Sequence, residues 1–129
     1  MRKPVAAILI LLGVPAAAQE PSYDPAILTA CLEAQQDRPD ACIGMASAKC
    51  QEGDGGETTV GMGFCLRGEA DQWDGLLNAA YGTVLAQSET TDAEMKELGS
   101  AALPQAPALR EMQLRWIAFR DAACNYEAT

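Results

Sequence analysis

The stretch that decides the fold is CLRGEADQWDGLLNAAYGTVL, residues 65–85. Its apolar residues recur at steps of three and four, which is the spacing of one face of an α-helix. No run of strictly alternating apolar and polar residues, which would indicate β-strands, is found in the chain. The pattern predicts a long helix near residues 66–87. Its apolar face holds Ala70, Trp73, Leu77, Ala80, Tyr81 and Val84, with Leu76 at the edge.

The same spacing returns in LREMQLRWIAFRDAAC, residues 109–124, after the linker LPQAP. Pro107 is suited to the first helical turn and predicts where this last helix starts. Between the two long helices, the capping-box pattern TDAE at 91–94 predicts a short helix that Gly99 ends. The apolar face predicted for the last helix holds Leu109, Met112, Trp116, Phe119 and Ala123.

The N-terminal half predicts two shorter helices. Asp24 followed by Pro25 is typical of an N-cap and first helical position, and the sequence DRP ends that helix. A second helix is predicted from about Asp40 to about Gln51. Residues 52–64, EGDGGETTVGMGF, are rich in glycine and acid, which predicts a loop. The expected fold is therefore all-α: a small disulfide-stapled helical bundle with an N-terminal helical hairpin and two longer packed helices.

The first 18 residues have the pattern of a secretory signal. Arg2 and Lys3 precede the apolar run VAAILILLGV, and the small residues PAAA lead to a predicted cleavage after Ala18. The run is shorter than the roughly 20 residues that span a membrane. We therefore expect an exported protein, in the periplasm or outside the cell, with no membrane attachment after cleavage. Residues 19–129 are predicted to form a single helical domain, with the hairpin and Gly-rich loop in 19–64 and the helical core in 65–129.

The charge balance restricts the class of partner. The chain has 9 basic and 18 acidic residues, a net charge of −9. Loss of Arg2 and Lys3 with the signal would leave 7 basic residues, and 7 minus 18 gives −11. Such a surface repels nucleic acid and anionic lipid but attracts a cationic protein, most strongly at low salt. We expect no nucleic-acid partner, and a basic protein is the favoured kind of partner.

Five cysteines in an exported chain favour disulfides over metal ligation, so no metal or cofactor is predicted. The preferred pairing joins Cys31 to Cys42 across the first hairpin and Cys50 to Cys65 across the Gly-rich loop. The alternative joins Cys31 to Cys50 and Cys42 to Cys65. Cys124 has no partner in either scheme, and a disulfide-linked dimer through Cys124 is a further hypothesis.

Catalysis is not predicted. Without histidine, the usual proton shuttle and the Ser–His triad are unavailable. Glu69, Asp71 and Asp74 could supply a carboxylate pair, but acids at a helix start are more simply explained by the helix dipole.

Two regions are candidates for binding instead. The tethered acidic loop could enter a partner at reduced entropic cost, or it could be an ordinary connector. The second region is a polar network of Asn78, Tyr81, Arg120 and Asp121, expected to be buried and to fix helix register; the alternative is a polar pocket. The candidate partner-binding residues of the loop are Asp54, Glu57, Val60, Met62 and Phe64.

The spacing of residues 65–124 resembles that of the LprI-like family of small exported bacterial proteins, also called the lysozyme inhibitor LprI N-terminal domain. The matching positions are Cys65, Leu77, Asn78, Tyr81, Gln113, Trp116, Phe119, Arg120, Asp121 and Cys124. The resemblance implies a helical, disulfide-bonded envelope domain that inhibits lysozyme by direct binding.

The chain departs from the family in two respects. It has no cysteine placed to carry a lipid, and relatives usually continue past the position of Cys124. We therefore expect a C-terminally short member whose Cys124 lacks its family partner. The expected function is lysozyme-inhibitor-like binding; the alternative is an envelope structural or interaction module with another partner.

Overall fold

The computed structural model describes residues 21–129, so the predicted signal lies outside the described residues. The helices are α1 (Pro25–Ala34), α2 (Met45–Gln51), α3 (Thr59–Glu97) and α4 (Gln105–Glu127), with a 3-10 turn at Pro39–Cys42. Residues 21–129 contain no strand, and the all-α prediction is confirmed. Within the same range, every helix is too short or too polar to cross a membrane.

Helix α1 begins where the sequence predicts. The Asp24 carboxylate accepts a hydrogen bond from the Ala26 amide at 2.9 Å, and Pro25 occupies the first turn. Leu28, on the inner side of this helix, is fully buried. The N-cap and the apolar spacing together account for α1.

The second helix is shorter than expected. The segment from Asp40 begins as the 3-10 turn Pro39–Cys42, and α2 starts only at Met45. Gly44, between the two, has a φ of +87°, which lies in the left-handed region. A helix cannot continue through that conformation, so the predicted single helix from 40 to 51 is wrong.

Helix α3 is longer than expected at both ends. The Thr58 hydroxyl accepts from the Gly61 amide at 2.9 Å and caps the helix start, so the predicted loop ends at residue 58. At the other end, residues 86–91 contain no Gly or Pro, and the Thr90 hydroxyl donates to the Ala86 carbonyl at 3.0 Å. The separate short helix predicted around residues 91–98 is therefore the end of α3.

The contacts divide the chain into two compact units. One ends at Glu69 and is called here the N-terminal unit; the other, Ala70–Thr129, is called the helical hairpin. The boundary falls inside α3, and the predicted single domain over 19–129 stays a prediction. The core of the N-terminal unit consists of Leu28, Cys42, Ala46, Cys50 and Cys65.

In the helical hairpin, α4 runs antiparallel to α3. The Asp92 carboxylate accepts from the amides of Gln105 at 2.7 Å and Ala106 at 2.9 Å, which caps α4. Farther along, Arg110 pairs with Glu89. Residue numbers fall along α3 as they rise along α4, so the two helices are opposed in direction and joined by a short connection.

Candidate functional site

Two disulfides lie in the N-terminal unit. Cys31 is bonded to Cys42 and Cys50 to Cys65, with S–S distances of 1.99 and 1.97 Å. This is the preferred pairing of the two that the sequence left open. Cys124 is a free and exposed thiol.

Residues 54–64, called here the acidic segment, are held tightly between Cys50 and Cys65. The Gly56 amide donates to the Gly53 carbonyl at 2.9 Å, and the Thr58 hydroxyl donates to the Gly55 carbonyl at 2.8 Å. A Cβ placed on Gly61 would lie 1.9 Å from the Gly55 oxygen, so the chain folds back closely on itself. The segment is an ordered turn followed by helix.

The side chains of the acidic segment point to solvent. Asp54 and Glu57 are exposed, and Val60, at the start of α3, is 79% exposed. Met62 and Phe64 are also exposed. The prediction that these last three belong to a loop is wrong, because the cap at Thr58 places them in the first turns of α3. The structure nevertheless brings two acids and three apolar side chains onto one anchored element.

Glu69 has a structural role that sequence reasoning missed. Its side chain is buried, and its carboxylate accepts from the Gly44 amide at 2.5 Å and the Ser47 amide at 2.7 Å. These amides are at the N-terminus of α2, where free N–H groups favour a negative charge. The sequence signal was an acid on the same helix face as Cys65, one turn later. Of the three acids weighed for catalysis, only Glu69 is buried, and it caps α2.

The Glu69 carboxylate also affects the pKa of the neighbouring Tyr23 hydroxyl. Tyr23 is half-buried, and burial, followed by the negative charges of Glu69 and Asp24, raises the pKa of its hydroxyl. Tyr23 is therefore neutral across the physiological range. A hydroxyl with a raised pKa suits a packing role for Tyr23 rather than a role as a proton donor.

The helical hairpin carries a shallow groove of about 560 Å³, called here the hairpin groove. Trp73 and Leu77 of α3 and Trp116 and Arg120 of α4 line it, with Asp71 and Asp74 beside them. The Arg120 guanidinium lies over the Trp116 ring, 5.2 Å from its centroid. This is a cation–π distance, and it holds Arg120 at the edge of the groove.

Polar pairs extend from Arg120. Its guanidinium donates to Asp121 at 2.8 and 2.9 Å and lies 3.9 Å from the Asp74 carboxylate. The Asp74 carboxylate also accepts from the Asn78 amide at 2.8 Å, within α3. The polar residues thus meet through Asp74, which is not among the predicted members of the network.

The network is not buried as expected. Asn78 and Asp121 are exposed, and Tyr81 is half-buried. Two packed helices cover only the strip of each helix that faces the other, so polar groups one position away remain at the rim. The remaining family-motif residues divide between the strip and the surface: Leu77 and Gln113 are half-buried, while Trp116 and Phe119 are exposed.

The described residues show no site for a metal. No group of three or more His, Cys, Asp or Glu side chains between residues 21 and 129 is placed to hold an ion. Two surfaces remain as candidates for binding, the acidic segment with its exposed apolar side chains and the hairpin groove. The roles of their residues stay predictions.

Comparison with protein families matches residues 50–129 to the family described as Lysozyme inhibitor LprI. The match begins at Cys50 and takes in the acidic segment, all of α3 and all of α4. Comparisons with curated proteins and with solved structures give no match. Because the match covers well over half of the 129 residues and agrees with the motif read from the sequence, the chain belongs to the lysozyme inhibitor LprI family.

Proposed function

We propose that this protein is an exported, lysozyme-inhibitor-like protein that acts by direct protein–protein contact and has no catalytic activity of its own. The family match over residues 50–129 is the observation that carries the proposal. The absence of histidine and the capping role of Glu69 agree with a binding protein rather than an enzyme. The proposed location is the periplasm or the exterior, as the N-terminal signal pattern indicates.

The negative net charge of the chain supports a basic protein as its target. The chain carries −9 overall, and lysozyme, the target that the family name gives, is a basic hydrolase. Opposite net charges accelerate association and lose that advantage as salt screens them. An inhibitor that used this attraction would therefore bind faster at low ionic strength than at high.

The acidic segment is the proposed contact surface. It carries Asp54 and Glu57 in its turn and three exposed apolar side chains, Val60, Met62 and Phe64, in the first turns of α3. Apolar anchors with charged neighbours are typical of the centre and rim of protein interfaces. The nearby disulfide and the Gly61 contact keep the segment ordered before binding, which lowers the entropy lost on association.

Lysis of cell walls by lysozyme tests the proposal. The purified protein, added in stoichiometric excess at low salt, should slow lysis, and the effect should weaken at high salt. Replacing Asp54, Glu57 and Val60 together by Asn, Gln and Ser should reduce inhibition about tenfold or more, as expected when interface anchors are lost.

A matched control comes from another part of the same unit. Glu33→Gln with Asp37→Asn removes two exposed acids outside the acidic segment and should leave inhibition unchanged. Equal loss in both variants would show that only net charge matters, which would refute the assignment of the surface. Unchanged lysis with the parent protein would refute the inhibitor proposal itself.

A second candidate function is an envelope interaction module without a lysozyme target. The hairpin groove favours it, since Trp73 and Trp116 line a surface that the proposed lysozyme contact does not use. Capture of one defined envelope protein, lost in a Trp116→Ala variant and accompanied by unchanged lysis, would favour this alternative over the first.

A further inference from the structure

The helical hairpin lacks a closed core of its own. Ser88 and Ala106 are its buried residues, and neither is a large apolar side chain. A unit of about 60 residues is marginal in stability, and one that buries no large apolar side chain gains little from packing. Several large apolar side chains are at the same time left exposed: Leu76, Val84, Met112, Trp116, Phe119 and Tyr126.

The apolar side of α4 is not the side that faces α3. The strip of α4 that faces α3 is marked by its half-buried residues, Leu109, Gln113, Ile117, Arg120 and Ala123. With 100° of rotation per residue, the apolar stripe lies about 100° away from that strip. The stripe consists of the exposed residues Met112, Trp116, Phe119 and Tyr126, so the predicted inner face of α4 is in large part an outer face.

Helix α3 has a matching stripe. On α3, a row of apolar side chains lies next to the strip that faces α4. This row is on the same side of the hairpin as the α4 stripe and consists of Trp73, Leu76, Ala80 and Val84. Trp73 and Trp116 line one groove, which joins the two stripes. We call the combined surface the neutral face.

The two stripes themselves carry no charged side chain, in a chain of net charge −9. The charged side chains of the combined surface are those of the groove, Asp71, Asp74 and Arg120, and Arg120 lies beside Asp74 and Asp121. Arg115 lies at its edge and is paired with Glu111 at 2.7 Å. A cationic partner would require acids along the stripes, and none of Met112, Trp116, Phe119 and Tyr126 is acidic. The face therefore suits a partner whose own surface is neutral and apolar. Its remaining small and polar positions are Gln72, Ala79, Thr83 and Gln87 on α3 and Ala108 and Ala122 on α4.

We infer that the neutral face binds the same face of a second copy of this chain, so that two hairpins form a four-helix bundle. Six exposed large side chains offer on the order of 500 Å² per copy, or about 1,000 Å² in total, the lower bound for a specific interface. A twofold contact between identical faces gives each hairpin the core that it lacks. The acidic segment is not part of this contact, so the inference is independent of the proposed inhibition.

Sedimentation equilibrium of the whole protein tests the inference. A Cys124→Ser background removes any disulfide link between copies, and this parent should dimerise reversibly at micromolar concentration. Phe119→Glu, at a position already 71% exposed, should weaken the dimer about 30-fold or more, as expected for a lost interface anchor.

The matched control is Leu114→Glu. Leu114 is 63% exposed on the same helix but lies on the opposite side from the neutral face, so dimerisation should be unchanged. Met112→Glu provides a second test within the face should the Phe119 variant lose helical circular dichroism. A parent that is monomeric at every concentration, or equal weakening by Leu114→Glu and Phe119→Glu, would overturn the inference.

Discussion

The N-terminal unit and the helical hairpin are stabilised in different ways. The N-terminal unit buries Leu28 and Ala46 together with three half-cystines and closes with two disulfides. The helical hairpin has no disulfide and is held by a helix cap, ion pairs and a half-buried strip. Covalent links let about 50 residues form a small core, whereas about 60 residues without them bury no large apolar side chain.

Both units depend on a carboxylate from α3. Glu69 caps α2 in the N-terminal unit, and Asp92 caps α4 in the helical hairpin. The bonds are similar in length, but Glu69 is buried and Asp92 is only half-buried. Burial is therefore the property that should make the two caps contribute differently to the free energy of unfolding.

The largest expected effect is loss of the second disulfide. Replacing Cys50 and Cys65 together by serine should lower the free energy of unfolding by about 3 kcal/mol, the value for a loop closed over 15 residues. Urea denaturation followed by circular dichroism at 222 nm measures it. Cys124→Ser, which removes an exposed thiol, should change the unfolding free energy by less than about 0.5 kcal/mol.

This result would also test the division into units. If the double variant loses helix content only in part, the helical hairpin keeps its structure without the covalent link. A double variant as stable as the parent would contradict the view that the disulfide carries the N-terminal unit.

A smaller effect is expected when the two caps are compared. Glu69→Gln keeps one acceptor oxygen and places an amide NH2 against the other backbone amide in a buried site, which should cost about 2 kcal/mol. Asp92→Asn keeps one acceptor in a half-buried site and should cost about 1 kcal/mol or less. Thermal or urea unfolding of both variants measures the difference.

Glu33→Gln serves as the control for charge alone, since Glu33 is exposed and the change should be close to neutral. Equal losses of unfolding free energy in Asp92→Asn and Glu69→Gln would show that burial does not set the value of a cap. The shared helix and the similar bond lengths would then account for both losses.

Local signals predicted much of the helical layout. Asp24 with Pro25 gave the start of α1, and apolar spacing placed α3 and α4, because caps and period are properties of neighbouring residues. The family motif was also readable, since it depends on spacing within residues 65–124. The all-α fold and the family were predicted from these signals alone.

Signals that depend on distant residues were missed. The left-handed Gly44, which divides the expected second helix, is stabilised by contacts of its amide with Glu69, 25 positions away. Similarly, the apolar spacing of α4 correctly predicts an apolar stripe. Spacing alone does not determine whether α3 or another surface covers that stripe. Burial of Asn78 and Asp121 was wrongly expected for the same reason.

The smallest expected effect is a pH dependence confined to the N-terminal unit. Burial and the charges of Glu69 and Asp24 raise the pKa of Tyr23 above its ordinary value near 10. A raised pKa in the folded state means that the unfolded chain ionises first, so stability is unaffected below pH 10 and falls as pH rises through the folded value. Tyr23→Phe should flatten this alkaline decline, and Glu69→Gln should reduce it, in urea unfolding measured within minutes so that disulfide exchange does not intervene. A decline as steep in Tyr23→Phe as in the parent would show that the alkaline loss of stability does not come from this phenol.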